Sequence, residues 1–243
     1  MKHDIDRIAS RIAAAALLSA CILLSGCAST TKRGGIDDPL EPWNRAMYAV
    51  NEPLDKYFAR PIAEAYVAIV PALLRQGVTN YVNNIDDFFS AINGLLQGKL
   101  DKAGNDMGRV MINSAFGFGG LIDIASDGGI PRGMEDFGQT FGYWGIPQGP
   151  FLFVPLWGPT TVRDGTGELL RLVWSPTNEI PNVALRNTVY GVIGVNLRAN
   201  ALDATSLLEQ ASIDPYTFVR RSYLQRREYL VYDGNPPPPK DDD

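Results

Sequence analysis

The sequence predicts an all-α protein, and three observations carry that reading. Between residues 81 and 97, Tyr81, Val82, Ile85, Phe88, Phe89, Ile92, Leu95 and Leu96 recur at steps of three and four, while Asn83, Asn84, Asp86, Asp87, Ser90 and Asn93 fill the other face. Period-two alternation bounded by turn dipeptides, the mark of strands, is scarce. The apolar pieces at 65–74, 116–125, 151–157 and 190–195 are numerous but short, and none reaches the roughly 20 residues that cross a bilayer as a helix.

The 243-residue chain opens MKHDIDRIASRIAAAALLSACILLSGCAS. Lys2, Arg7 and Arg11 precede an apolar run from 12 to 25 that ends in small residues, the form of a secretory signal. Leu24-Ser25-Gly26-Cys27 resembles a bacterial lipobox, which implies cleavage before Cys27 and lipidation of its thiol. By the same resemblance, Ala28 favours sorting to the outer membrane because it is not Asp. Residues 1–26 are thus expected to be a signal peptide, 27–38 a small, polar, flexible tether, 39–233 one helical domain and 234–243 a disordered tail ending NPPPPKDDD.

Within the domain, prolines divide residues 39–68 into short helical pieces around 43–51, 54–58 and 62–69, and Pro71 bends or breaks AYVAIVPALL. Gly98 follows the strong helix as a C′ residue. Residues 99–116 repeat the helical pattern with Leu100, Ala103, Met107, Val110 and Met111. A short apolar turn follows at 121–125, then helices over 182–202 and 215–232. Seventeen of the 24 glycines lie between Gly94 and Gly167, so the middle of the chain is irregular.

Composition excludes several functions. Loss of the leader takes the formal net charge from −5 to −6, a poor match to nucleic acid. The only histidine, His3, leaves with the signal, which removes histidine-based nucleophilic sites and imidazole metal ligands. Cys21 leaves as well and Cys27 is lipidated, so no disulfide and no free thiol remain. Gly117–Gly120 does not complete a dinucleotide loop, because position 122 is Ile122. The pairs Asp86-Asp87 and Glu135-Asp136 read as solvated helix positions, and Asp123 and Asp127 as a helix end with a turn. No catalytic, metal or cofactor site is expected.

Four stretches carry a resemblance. DPLEPWNRAMYAVNEPLDKYFARPIAEAY, NSAFGFGGLIDIAS, EDFGQTFGYWGIPQGPFLFVPLWGPTTVRDGTGELL and IDPYTFVRRSYLQRREYL resemble, in this order, the VacJ/MlaA family of outer-membrane lipoproteins. The combination of FG-x-T-x-G, GP and RD is specific to that resemblance. It implies a single ring-like domain of short amphipathic helices lying in one leaflet of the outer membrane, beside a trimeric porin. It also implies a passive channel that returns stray phospholipids from the outer leaflet and hands them to a soluble periplasmic carrier, without hydrolysis.

The resemblance further implies a hairpin framed by Gly145 and Gly149, with Phe151, Phe153 and Trp157 facing lipid or channel. Asp164 is expected at the channel wall with Glu168 one turn on; a surface pair or cap formed by Arg163-Asp164 is the alternative. In the last helix, Tyr216 and Tyr223 lie near one stripe and Arg220, Arg221, Arg226 and Arg227 make the helix basic. The resemblance turns these six toward the carrier; packing on the protein's own ring is the alternative. From composition alone the apolar pieces read first as an ordinary core, with helices lying in one leaflet as the other account, and a lipid-anchored scaffold is the competing function.

Overall fold

The computed structural model describes residues 38–205 and 214–238. The signal peptide, the lipidation site Cys27 and the tether through residue 37 lie outside the described residues, as do 239–243. The order is α1 (Glu41–Leu54), a π turn (Asp55–Ala59), α2 (Arg60–Ile69), α3 (Ala72–Leu96), α4 (Leu100–Ala115), α5 (Ile124–Asp127) and α6 (Phe137–Tyr143). A hairpin of β1 (Phe151–Val154) and β2 (Gly158–Thr161) follows, then α7 (Val162–Val173), a 3₁₀ turn (Pro176–Glu179), α8 (Val183–Asn200) and α9 (Pro215–Val231).

The expected breaks before residue 69 do not occur. Helical structure runs on from Glu41 to Ile69 although Pro53 lies inside α1 and Pro61 in the first turn of α2. A proline removes one N–H and crowds the carbonyl four residues back. The π turn between the two prolines shifts the hydrogen-bond register by one residue and lets the chain continue. At Pro71 the break is real: Val70 is extended, as a residue before proline prefers to be.

α3 ends at Gly98 with φ +73°. The Gly98 N–H donates to Leu95 O (3.0 Å) and Lys99 N–H to Gly94 O (2.8 Å), a Schellman turn that reverses the chain into α4. Gly94 brings the two helices together, since a Cβ there would lie 3.1 Å from that of Ala103.

A short hairpin interrupts the otherwise helical chain where the resemblance implies one. Phe151 pairs with Thr161 and Val154 with Gly158 in antiparallel register. Phe151 and Phe153 point inward and Val154 outward. That alternation spans four residues, too short to stand out among the prolines. Fully buried Asn44 of α1 completes the free edge of β1. Its Nδ2 donates to Phe151 O (2.9 Å) and its Oδ1 accepts from Phe153 N (2.9 Å).

Polarity is distributed unusually. Apolar cores are small: Ile85, Phe89 and Phe137 form one, and Phe151, Phe153 and Tyr216 the other. The largest fully buried side chains are Arg109, Gln139, Asn44, Asn93 and Asn196, all polar. Outside, Leu73 is 80% exposed and Phe118 77%, with Ile69, Leu74 and Phe116 also exposed. No helix among the described residues is long and apolar enough to cross a membrane.

Asn44→Ala removes a donor and an acceptor at once and leaves two buried backbone groups of β1 unpaired. The expected cost is about 2–4 kcal/mol, read as a lower denaturant midpoint for the detergent-solubilised protein. A change within error would show that the hairpin edge finds other partners.

Candidate functional site

Two cavities flank α8. The larger, about 750 Å³, lies under the hairpin. Phe153, Leu156 and Trp157 form its hairpin wall, Tyr48 and Asn51 come from α1, and Gly194 and Arg198 from α8. Its volume falls in the ~300–1,000 Å³ range of small-molecule sites. The hairpin tip is tied down where Leu156 N–H donates to Asn51 Oδ1 (2.7 Å). Arg198 grips Asp55 of the π turn through Nε (2.5 Å) and Nη2 (2.8 Å). The wall thus pairs aromatic and aliphatic surface with a few fixed polar groups.

The smaller cavity, about 350 Å³, lies between α3 and α7. Asp86, Arg132, Glu168 and Arg171 line it with Phe89, Met134, Phe137 and Leu197. Burial in this wall pushes Asp86 up to about 6, outweighing the opposing pull of Arg171. The folded protein therefore holds that proton to higher pH than an unfolded chain would.

The expected site residues part company here. Phe153 and Trp157 line the hairpin cavity, whereas Phe151 is buried with its ring 6.2 Å from that of Tyr216 and 6.1 Å from that of Tyr223. Gly145 (φ +83°) and Gly149 (φ +70°) hold left-handed conformations in the approach to β1. Glu168 lines the smaller cavity, but Asp164, one turn earlier, lines neither. Asp164 is buried and accepts from Arg163 Nε, Arg227 Nε and Tyr223 Oη, each at 3.0 Å. α7 turns its Asp164 side toward α6 and α9, because Gly138 and Gly167 let α6 and α7 touch: a Cβ on Gly167 would fall 2.6 Å from Gly138 N.

The basic helix is divided in the same way. Arg220 donates to Asp38 (3.0 Å), and the Tyr216 hydroxyl donates to the same carboxylate. Arg227 grips Asp136 through Nη1 (2.6 Å) and Nη2 (2.8 Å). Burial opposes the charge on Arg227, yet Asp136 and Asp164 hold its pKa above the ordinary guanidinium value. Burial likewise pushes the Tyr223 phenol up, helped by Asp164. So Tyr216, Arg220, Tyr223 and Arg227 face inward rather than toward a partner, and Arg221 and Arg226 remain outside.

Asp123 stands at a helix end as expected, but Asp87 and Glu135 are not the solvated positions expected of the acidic pairs. Asp87 is buried against Arg109 (2.9 Å) and Arg132 (2.6 Å), and Glu135 against Lys99 (3.0 Å) and Lys102 (2.7 Å). Asp136 caps α6, and Asp123 caps the start of α5 while receiving Arg109. The cations that meet Asp87 and Glu135 are Arg109 and Lys102 on α4, Lys99 just before it and Arg132 in the loop before α6. They lie 22 to 45 residues away, so no local pattern exposes the pairings.

A sequence model of the MlaA lipoprotein matches residues 36–230. The chain belongs to the MlaA lipoprotein family. It is 34% identical over 224 residues to the intermembrane phospholipid transport system lipoprotein MlaA of Escherichia coli (strain K12), covering 90% of this chain and 88% of that protein. The MlaA of Haemophilus influenzae is 35% identical over 226 residues, covering 90% of each. A solved structure described as "Structural basis for maintenance of bacterial outer membrane lipid asymmetry" is similar at a TM-score of 0.71 and 32% identity, over 81% of this chain and 100% of that one. The MlaA motif FG-x-T-x-G here is Phe137 to Gly142. Phe137 fills a core, Gly138 admits α7, and Thr140 donates to Asn93 Oδ1 of α3 (2.6 Å).

Arg227→Met leaves buried Asp164 with Arg163 as its remaining cation and part-exposed Asp136 without one, an expected cost of about 3 kcal/mol in unfolding free energy. Arg226→Gln on the outer face should change stability by less than about 0.5 kcal/mol. Equal effects in denaturant titrations would contradict the inward and outward assignment.

Proposed function

We propose that this MlaA-family chain is a passive conduit that removes phospholipids from the outer leaflet of the outer membrane and passes them inward. The reading rests on one observation above all: polar side chains fill the interior while large apolar ones cover the outside. Water would penalise such an exterior, but lipid accepts it and requires polar groups to be satisfied internally. The hairpin cavity, with apolar walls and the fixed Asp55–Arg198 pair, is the passage we assign to a molecule with a charged head and apolar tails. The names of the relatives, which refer to phospholipid transport, point the same way.

In this reading the protein lies in the inner leaflet of the outer membrane, held also by lipid on Cys27, next to a trimeric porin. Arg221 and Arg226 on the outer face of α9 would meet a soluble periplasmic carrier. Lipid moves down its own gradient, and no bond is broken by this chain.

Surface aminophospholipid, labelled with a membrane-impermeant amine reagent, tests the proposal. Labelling should rise several-fold on deletion of the gene and return to its starting level with the wild-type copy. Gly145→Pro should fail to restore it, because proline cannot adopt the positive φ that shapes the approach to the hairpin. Unchanged labelling on deletion would remove the conduit reading and leave a lipid-anchored scaffold.

A further inference from the structure

The smaller cavity holds a set of charges that is only partly satisfied. Arg171 places Nε and one Nη2 proton on the single oxygen Oε1 of Glu168 (2.8 and 2.6 Å), and one Nη1 proton on Asp86 Oδ1 (3.1 Å). An arginine has five N–H donors, so two remain. Among the described residues, no donor reaches Glu168 Oε2 or Asp86 Oδ2. Arg132, on the same wall, uses Nε on Asp87 Oδ1 (2.6 Å) and one Nη2 proton on Asn83 O (3.1 Å), which leaves three.

The other carboxylates of the wall have cations of their own. Glu135 is held by Lys99 and Lys102, and Asp136 by Arg227. Arg132 is matched by Asp87. What stays unbalanced is Arg171 between Asp86 and Glu168, one negative charge in excess. Beside it stand Phe89, Phe137, Met134 and Leu197, an apolar surface continuous with the charged one.

Spare guanidinium donors suit a phosphate, which binds arginine by charge-assisted, often paired, hydrogen bonds. Spare carboxylate oxygens in a wall of excess negative charge suit an ammonium. An apolar flank suits the start of an acyl chain. We propose that this cavity binds the headgroup of a zwitterionic aminophospholipid. The phosphate sits on Arg171 and Arg132, and the ammonium on Asp86 and Glu168. An anionic glycerol headgroup adds charge to a negative wall and supplies no ammonium. A choline headgroup carries the charge but has no N–H to give. The inference rests on the transport reading and adds to it a selective site apart from the hairpin cavity.

Calorimetric titration of the full-length protein in non-ionic micelles tests it, with short-chain phosphatidylethanolamine, phosphatidylglycerol and free phosphoethanolamine as probes. The ethanolamine lipid should bind about tenfold or more tighter than the glycerol lipid, the size of one charge-assisted hydrogen bond in a partly buried site. Free phosphoethanolamine, lacking the apolar part, should bind more weakly than the lipid. Asp86→Asn with Glu168→Gln should abolish the ratio, and Arg171→Gln should weaken both lipids. Equal binding of the two lipids by the wild-type protein overturns the inference and leaves transport intact, as does a ratio that survives the double substitution. Free phosphoethanolamine binding as tightly as the lipid replaces the lipid by a soluble ligand. Binding of neither lipid removes the transport reading together with this one.

Discussion

Arg109 directs all five of its N–H donors into the protein. Nε reaches Asp87 (2.9 Å), Nη1 reaches Ser126 Oγ (3.0 Å) and Ile130 O (2.8 Å), and Nη2 reaches both oxygens of Asp123 (2.9 and 2.8 Å). The residue is 1% exposed. One guanidinium therefore ties α3, α4, the cap of α5 and the loop beyond it. Such a group tolerates burial only when every donor is met, since an unpaired buried charge costs several kcal/mol. The rest of the fold obeys the same constraint. Apolar surface is turned outward, and the interior must close its hydrogen bonds without water.

A second cluster performs the same task beside the hairpin. Asp38, Asn44, Tyr216 and Arg220 join the start of α1, the edge of β1 and the inner face of α9. Asp136, Asp164 and Arg227 then join α6, α7 and α9. The hairpin is held between these two clusters, and its exposed tip, Leu156 and Trp157, is fixed by Asn51. Rigid support on both sides with a two-stranded element between them gives the hairpin cavity a defined wall. The cavity between α3 and α7 differs because its central arginine is left with donors to spare.

The long helices were legible because period 3.6 survives whichever side faces inward: α3 and α4 have one polar and one apolar stripe. What periodicity cannot tell is which stripe is inside. In α3 the polar residues Asn84, Asp87, Ser90 and Asn93 are buried together with Ile85 and Phe89, while Leu95 and Leu96 are exposed. Burial of polar residues beside apolar ones is why Asp87 reads as solvated in sequence. Gly98 was legible because its turn chemistry is local. Pro53 and Pro61 misled because a π turn, invisible in composition, absorbs them. The hairpin was hidden in four-residue strands. The inward arginines of α9 look like the outward ones in sequence, and only carboxylates 63 to 182 residues away separate them.

The four tryptophans, Trp43, Trp144, Trp157 and Trp174, are all about half exposed, and they report on what surrounds the protein. The most direct test of an apolar exterior is to reconstitute the protein in bilayers whose acyl chains carry bromine and to measure tryptophan emission. Seating in lipid predicts strong quenching by the brominated chains and weak quenching by aqueous iodide. Strong iodide quenching with emission untouched by bromine would place the exterior in water and contradict the account.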